Sequence, residues 1–288
     1  MSRQYKKSYD LTVIPVDGDT RVIKDLRINF EITKSVLGPP NLGMIEIYNP
    51  NPDTLAALQN KFTKVILNAG YEGNVRLIFK GDIRNVLQMR QGPDRIATVY
   101  AADGDKDWKN STFNKTFAES VSIKSAIDEV LASFSGLTIG PLEGIPDEPD
   151  KLMGQTLSGS SKDIMDVFAD QYGFNWNIQD GEMVVTPIDQ PLEGSAIALI
   201  NSATGMIGSP TLTEIGADVT TLLNPSLMPN TSFKIESQTA NVSMGNLFFR
   251  NINKTTAEGT YKIQESVFKG DTHNSTWFSV IKGRSINV

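Results

Sequence analysis

Short period-two runs of apolar residues, each cut off by turn residues, constrain this chain more than any other feature. Across Val22–Thr33, Leu26, Ile28, Phe30 and Ile32 alternate with Arg27, Asn29 and Glu31. Successive side chains of a strand point to opposite faces, so this pattern is a half-buried strand. Further strands are expected at Tyr9–Val16, Gly43–Asn49, Lys64–Asn68, Val75–Phe79, Ile83–Met89 and Arg95–Ala102, with Gly81 breaking or bulging the run around it. Turns fall at Asp17-Gly18-Asp19, Gly38-Pro39-Pro40-Asn41, Gln91-Gly92-Pro93-Asp94 and Asp103-Gly104-Asp105. One short helix follows Pro50-Asn51-Pro52, with Leu55, Leu58 and Phe62 at helical spacing. Many short strands with one small helix predict a compact barrel or sandwich.

Between residues 110 and 190 the period changes. Ser122 is the expected N-cap of a helix whose apolar stripe is Ile123, Ile127, Val130, Leu131 and Phe134, ended by Gly136. A Pro-, Gly- and acid-rich loop is expected over 139–160. A second helix begins near Ser160 or Ser161, turns Ile164, Val167, Phe168 and Tyr172 one way, and is capped by Gly173. Phe174, Trp176 and Ile178 then alternate with polar residues, Asp180-Gly181 supplies a two-residue turn, and Met183–Thr186 returns: a β-hairpin. Strands resume at Ala196–Ile200, Thr211–Glu214, Asp218–Leu223, Ser232–Glu236, Thr260–Phe268 and Trp277–Lys282. The polar segment 237–259, with Phe248 and Phe249, reads equally as a packing arm or a loop. The expected fold class is α+β, mainly β, with units at 1–108, 109–190 and 191–288. The outer two are antiparallel β-barrels of similar length and texture.

Composition excludes several kinds of chemistry. The chain has 288 residues and no cysteine, so it has no disulfide, thiolate metal site or cysteine nucleophile. Its 27 Lys and Arg face 33 Asp and Glu, a net charge of −6 that argues against nucleic-acid backbone binding. The basic run Arg3–Lys7 reads as a solvated tail. Met1–Asp10 is polar, so no secretion leader is expected, and no apolar run approaches the ~20 residues of a membrane span. A product kept soluble is the expectation.

Catalytic candidates are few. His273 is the only histidine, so any Ser-His-Asp triad passes through it; its setting, Gly270-Asp271-Thr272-His273-Asn274-Ser275, reads as a hairpin turn. Glu143, Asp147, Glu148 and Asp150 cluster, but in a proline-rich loop where solvated charge is the plain reading against a glycosidase pair. Asp103-Gly104-Asp105-Lys106-Asp107 starts like a calcium loop, yet Trp108 holds the sixth position and Asn114 the twelfth, so a strand-ending turn fits better. The sequons at Asn110 and Asn274 carry no weight without a leader. Trp108, Trp176 and Trp277 read as packing residues. No phosphate-binding glycine loop follows a strand. Catalytic, cofactor-binding and metal residues are therefore all expected to be none.

Several stretches together resemble phage tail (baseplate) hub proteins. They are Phe79-Lys80-Gly81-Asp82-Ile83, Gly92-Pro93-Asp94-Arg95 and Thr98-Val99-Tyr100-Ala101-Ala102-Asp103-Gly104 near the end of the first β block. In the last block they are Asp218–Pro225 with Pro229 and Ser232–Glu236, then Gly259–Ile263 and the Gly270-Asp271-Thr272-His273 turn before Trp277. That family has a similar turn in its closing hairpin. The resemblance covers about two thirds of the chain. It implies two tube-like barrels joined by an α+β unit, and a non-enzymatic virion-tail protein assembled in the host cytoplasm. It further implies a homotrimer whose two barrels per copy give pseudo-six-fold symmetry, adapting a six-fold tail tube to a three-fold central spike. The implied partners are that spike, tail tube or distal tail subunits, the tape measure protein and the baseplate wedge, without sequence-specific nucleic-acid binding. An acidic channel lining for DNA passage is expected. The alternative is a tail-associated protein that binds or hydrolyses cell-wall glycan. A tail tube subunit is disfavoured, because two barrels flank an insert.

Overall fold

The computed structural model describes residues 6–60, 63–119, 121–145, 154–242 and 257–286. In the first block the strands are β1 (Lys7–Ile14), β2 (Arg21–Ile23), β3 (Ile28–Ser35), β4 (Leu42–Tyr48), β5 (Lys64–Tyr71), β6 (Asn74–Gln91) and β7 (Asp94–Ala102), with helix α1 (Pro52–Gln59). The middle holds α2 (Asp105–Asn110), β8 (Thr112–Phe117), α3 (Ile123–Ala132), β9 (Thr138–Leu142), β10 (Gln155–Ser160), α4 (Ser161–Tyr172), β11 (Phe174–Gln179) and β12 (Glu182–Pro187). The last block holds β13 (Ala198–Ile200), β14 (Met206–Leu212), β15 (Gly216–Leu222), β16 (Ser232–Ser237), β17 (Asn241–Val242), β18 (Ala257–Asp271) and β19 (Trp277–Ser285).

The α+β, mainly β expectation holds, but the two β blocks do not close separately. One 14-stranded sheet runs through both, in the order β17-β14-β15-β19-β18-β3-β4-β7-β6-β5-β1-β2, with β16 and β13 branching from β18. The seam is the antiparallel pairing of β18 with β3, from Glu265 opposite Ser35 to Asp271 opposite Asn29. Strand β18 is long enough to serve two neighbours. Its first half pairs with β16 and its second half with β3.

Local expectations fail where tertiary packing intervenes. The run Val22–Thr33 is broken between β2 and β3, and Ile28, Phe30 and Ile32 keep the buried face. Gly81 does not interrupt β6. A Cβ there would come within 2.8 Å of the Ala102 carbonyl oxygen, so the glycine permits a close backbone approach, and register shifts flank it, at Ile78 against β5 and between Ile83 and Asn85 against β7. Helix α3 stops at Ala132 with Ser133 as its cap; Gly136 lies beyond it and donates its N–H to Asp107 Oδ1 at 2.9 Å. The loop expected over 139–160 is strand at both ends, β9 and β10, and helix α2 and strand β8 lie in stretches that carried no strong period. Val167, expected on the apolar face of α4, is exposed, and Met165, which was not expected there, is buried.

Three hydrophobic cores result. The first is built on Leu11, Phe30, Ile45, Leu67 and Phe79, but also contains Leu223, Phe268 and Trp277 from the far end of the chain. The second holds Phe117, Ile127, Phe134, Phe168 and Trp176. The third holds Phe233, Ile235, Tyr261 and Ile281.

Candidate functional site, a buried polar junction

The hairpin β11–β12 carries polar residues where its outward face meets the β blocks. Asp180 and Gly181 both have positive φ, 55° and 87°, giving the tight turn whose twist matches the flanking strands. Asn175 and Asn177 alternate with Phe174, Trp176 and Ile178, yet both asparagines are buried. The apolar side faces the second core, and the polar side is clamped between the other two.

From the first block, Lys34 on β3 donates to Asp180 Oδ2 at 2.6 Å. Asp103, just past β7, accepts the backbone N–H groups of Asp180 and Gly181, the latter at 2.8 Å. Asn41 donates to the Ile178 carbonyl at 2.8 Å and the Gln179 side chain at 3.0 Å, and Gln179 Nε2 donates to the Ser35 carbonyl at 3.0 Å. From the last block, Asn230 Nδ2 donates to Asn177 Oδ1 at 3.3 Å, and Thr186 Oγ1 donates to Asn230 Oδ1 at 3.1 Å. Lys262 on β18 donates to the carbonyls of Pro187 at 2.6 Å and Ile188 at 3.4 Å. Two fully buried lysines, one from each β block, thus grip the turn and the exit of one hairpin.

Burial first, then the neighbouring Asp180 carboxylate, pushes Asp103 up to about 7 against the opposing pull of Lys34 and the two backbone donors. Burial lowers Lys262 to about 8, opposed by Asp189. A buried charge that keeps its partners fixes geometry, because either element must leave unpaired polar groups to move.

The remaining candidates resolve into packing and turn roles. His273 is exposed and donates its backbone N–H to Asp271 Oδ1 at 2.8 Å, and its Nδ1 lies 3.0 Å from Thr272 Oγ1. Asp271 also pairs with Arg27 at 2.8 Å and accepts from Asn274. Burial would raise Asp271, but the Arg27 hydrogen bond and the turn N–H groups hold it below the usual carboxylate range. Gly270 lies against Phe30 and Trp277, where a Cβ would collide. The Gly-Asp-Thr-His stretch is therefore a turn built to seat Trp277, whose indole N–H reaches the Gly70 carbonyl at 3.1 Å. Gly104, with φ 57°, is the N-cap residue of α2, while Asp105 pairs with Arg84 and Lys109. Trp108 stacks on Trp176 at 5.2 Å, and Trp176 donates to Asp166 at 2.8 Å.

Glu143 accepts from the Glu193 N–H at 3.0 Å. Asp147, Glu148 and Asp150 lie outside the described residues, as do Arg3, Phe62, Phe248, Phe249 and most of segment 237–259. Among the described residues no group of three or more His, Asp or Glu side chains is placed to hold a metal, and no helix is long and apolar enough to cross a membrane. The junction was not foreseen from sequence. Its one signal was the pair of asparagines alternating with aromatics, which reads as an ordinary solvent face.

A 43 kDa tail protein of prophage MuSo2 from Shewanella oneidensis has the same fold over 98% of this chain and 100% of its own, with a TM-score of 0.63 at 10% identity. A tail protein from Neisseria meningitidis MC58 matches over 96% and 97%, with a TM-score of 0.63 at 8% identity. The E. coli c3393 protein matches over 96% of this chain and 77% of its own, with a TM-score of 0.59 at 9% identity. It is described as a type VI secretion component with structural similarity to the T4 tail proteins gp27 and gp5. No curated protein matches by sequence. The family model for Baseplate hub gp41 matches residues 12–253, which takes in the motifs of the first β block and, in the last block, those from Asp218 to Glu236. The chain belongs to the Baseplate hub gp41 family, and is a phage tail structural protein.

Proposed function

We propose that this protein is the non-enzymatic hub of a tail baseplate, working as a homotrimeric ring. The units 1–108, 109–190 and 191–288 are its building blocks. Two β blocks per copy give six similar positions around the ring, which face a six-fold tube on one side and a three-fold spike on the other. The central opening passes DNA, and an acidic lining keeps it from sticking. The ring's neighbours are the central spike, tail tube or distal tail subunits, the tape measure protein and the wedge. The protein acts in the virion tail after assembly in the host cytoplasm, with no catalytic, cofactor or metal residue.

The observation that carries this reading is the single sheet through both β blocks, braced by the buried junction. An adaptor that transmits geometry between two symmetries needs its two blocks fixed to each other. The test is the mass and symmetry of the full-length protein, alone and with its spike, by light scattering and electron microscopy. A three-fold ring with a central hole is expected, with no release of peptidoglycan fragments on incubation. A monomer that degrades or retains glycan overturns the reading.

A further inference from the structure

Three directly opposed cross-strand pairs among the described residues carry like charge. In one, Lys262 opposite Arg284, both side chains have partners, the Pro187 carbonyl for Lys262 and Asp189 at 2.9 Å for Arg284, and the other two lie far apart along the strands. In β6–β7, Arg90 lies directly opposite Arg95, beside the exposed Gln91-Gly92-Pro93 turn. In β16–β18, Glu236 lies directly opposite Glu258. Like charges in directly opposed positions repel, so each pair is unfavourable within one copy. Among the described residues the arginine ion pairs involve Arg27, Arg84 and Arg284, leaving Arg90 and Arg95 unpaired. Lys234 binds Glu236 at 2.7 Å and also feels Glu258, so one lysine charge is shared between two glutamates; Asp94, next to Arg95, is held by Asn49 at 2.8 Å.

The register shows that one copy cannot join its own pairs. Val267, Thr33, Leu42 and Ala102 form one row across β18, β3, β4 and β7. Glu258 lies nine residues to one side of that row along β18, and Arg95 seven residues to the other side along β7. At ~3.3 Å per residue the separation along the strands is about 50 Å. The arginine side chains border an exposed hairpin turn whose backbone is steadied by Asn49, with the exposed Leu87 and Met89 nearby on β6. The glutamates border a cleft of about 690 Å³ that also includes Ala203, Met206 and Gln238.

We propose that the Arg90/Arg95 hairpin tip docks into the Glu236/Glu258 cleft of a second copy of this chain, head to tail. A heterologous contact of this kind joins the first block of one copy to the last block of the next and can close into a ring. This contact rests on the ring reading above and names the surfaces that would form it.

The test is the mass of full-length protein across a dilution series, with folding checked by circular dichroism. R90E/R95E and E236R/E258R are each expected to weaken trimer formation at least tenfold. All four substitutions in one chain are expected to restore it, since the charges are then exchanged and not lost. If either double variant assembles like wild type, or the four-site chain stays dissociated, the contact is wrong and the ring reading stands. Wild-type protein that is monomeric throughout, alone and with its spike, overturns both.

Discussion

At the residue scale the protein depends on a few charged groups held where water is absent. Asp103 is pushed up to about 7, chiefly by burial. A carboxyl raised in the folded state keeps its proton when the unfolded chain has already lost it, so stability falls as pH rises from about 4 to about 7. By calorimetry, the Tm of wild type relative to D103N should decline over that window, which isolates the Asp103 contribution. Lys262 has the opposite window. Its lowered value means the charged form is disfavoured when folded, so its penalty is relieved between pH 8 and 10.5. K262M keeps the aliphatic stem but leaves the Pro187 and Ile188 carbonyls without their donor. Urea unfolding should show a loss of ~1–3 kcal/mol above about pH 10, where wild type no longer carries the buried charge, and a smaller one at pH 7.

At the element scale the hairpin β11–β12 is the part on which both β blocks close. Its turn needs positive φ at both central residues, and Gly181 also lies 3.0 Å, at its missing Cβ, from Lys80 Nζ. G181A should cost about 1–2 kcal/mol. Hydrogen exchange should speed up at Asp180 and Gly181, whose N–H groups are held by Asp103. Helix α1 illustrates the opposite case, an element set by its own sequence. Asn51 Oδ1 accepts from the Thr54 N–H at 2.7 Å, and Pro52 occupies the first turn. N51A should cost ~1 kcal/mol in chemical denaturation without altering assembly.

At the scale of the whole molecule, sequence order and core membership differ. Leu223, Phe268 and Trp277 complete the first core although they lie at least 120 positions beyond Asp103. Residues 1–108 made alone should therefore bind a hydrophobic dye and melt without cooperativity. In the full chain, W277A should lower stability by ~3–5 kcal/mol, because the ring is buried against Phe30 with an edge contact at 5.4 Å. Recovery of cooperative melting when 191–288 is supplied in trans would show the same dependence from the other side.

The sequence by itself determined most of the local structure. Period-two runs placed the strands near Phe30, Ile45, Val99 and Ile281, and the Ser122 and Gly173 caps placed two helix ends, because side-chain alternation and capping act over a few residues. Family membership was also legible in the turn motifs. Only the tertiary structure decided that β18 would pair with β3 and merge the blocks into one sheet, and that Trp277 would enter the distant core. It also decided that Asn177, Lys34 and Lys262 would be buried. A polar residue on a strand has the same local pattern whether it meets water or another polar face. Its burial depends on which partner arrives across the chain, and that is set by long-range packing.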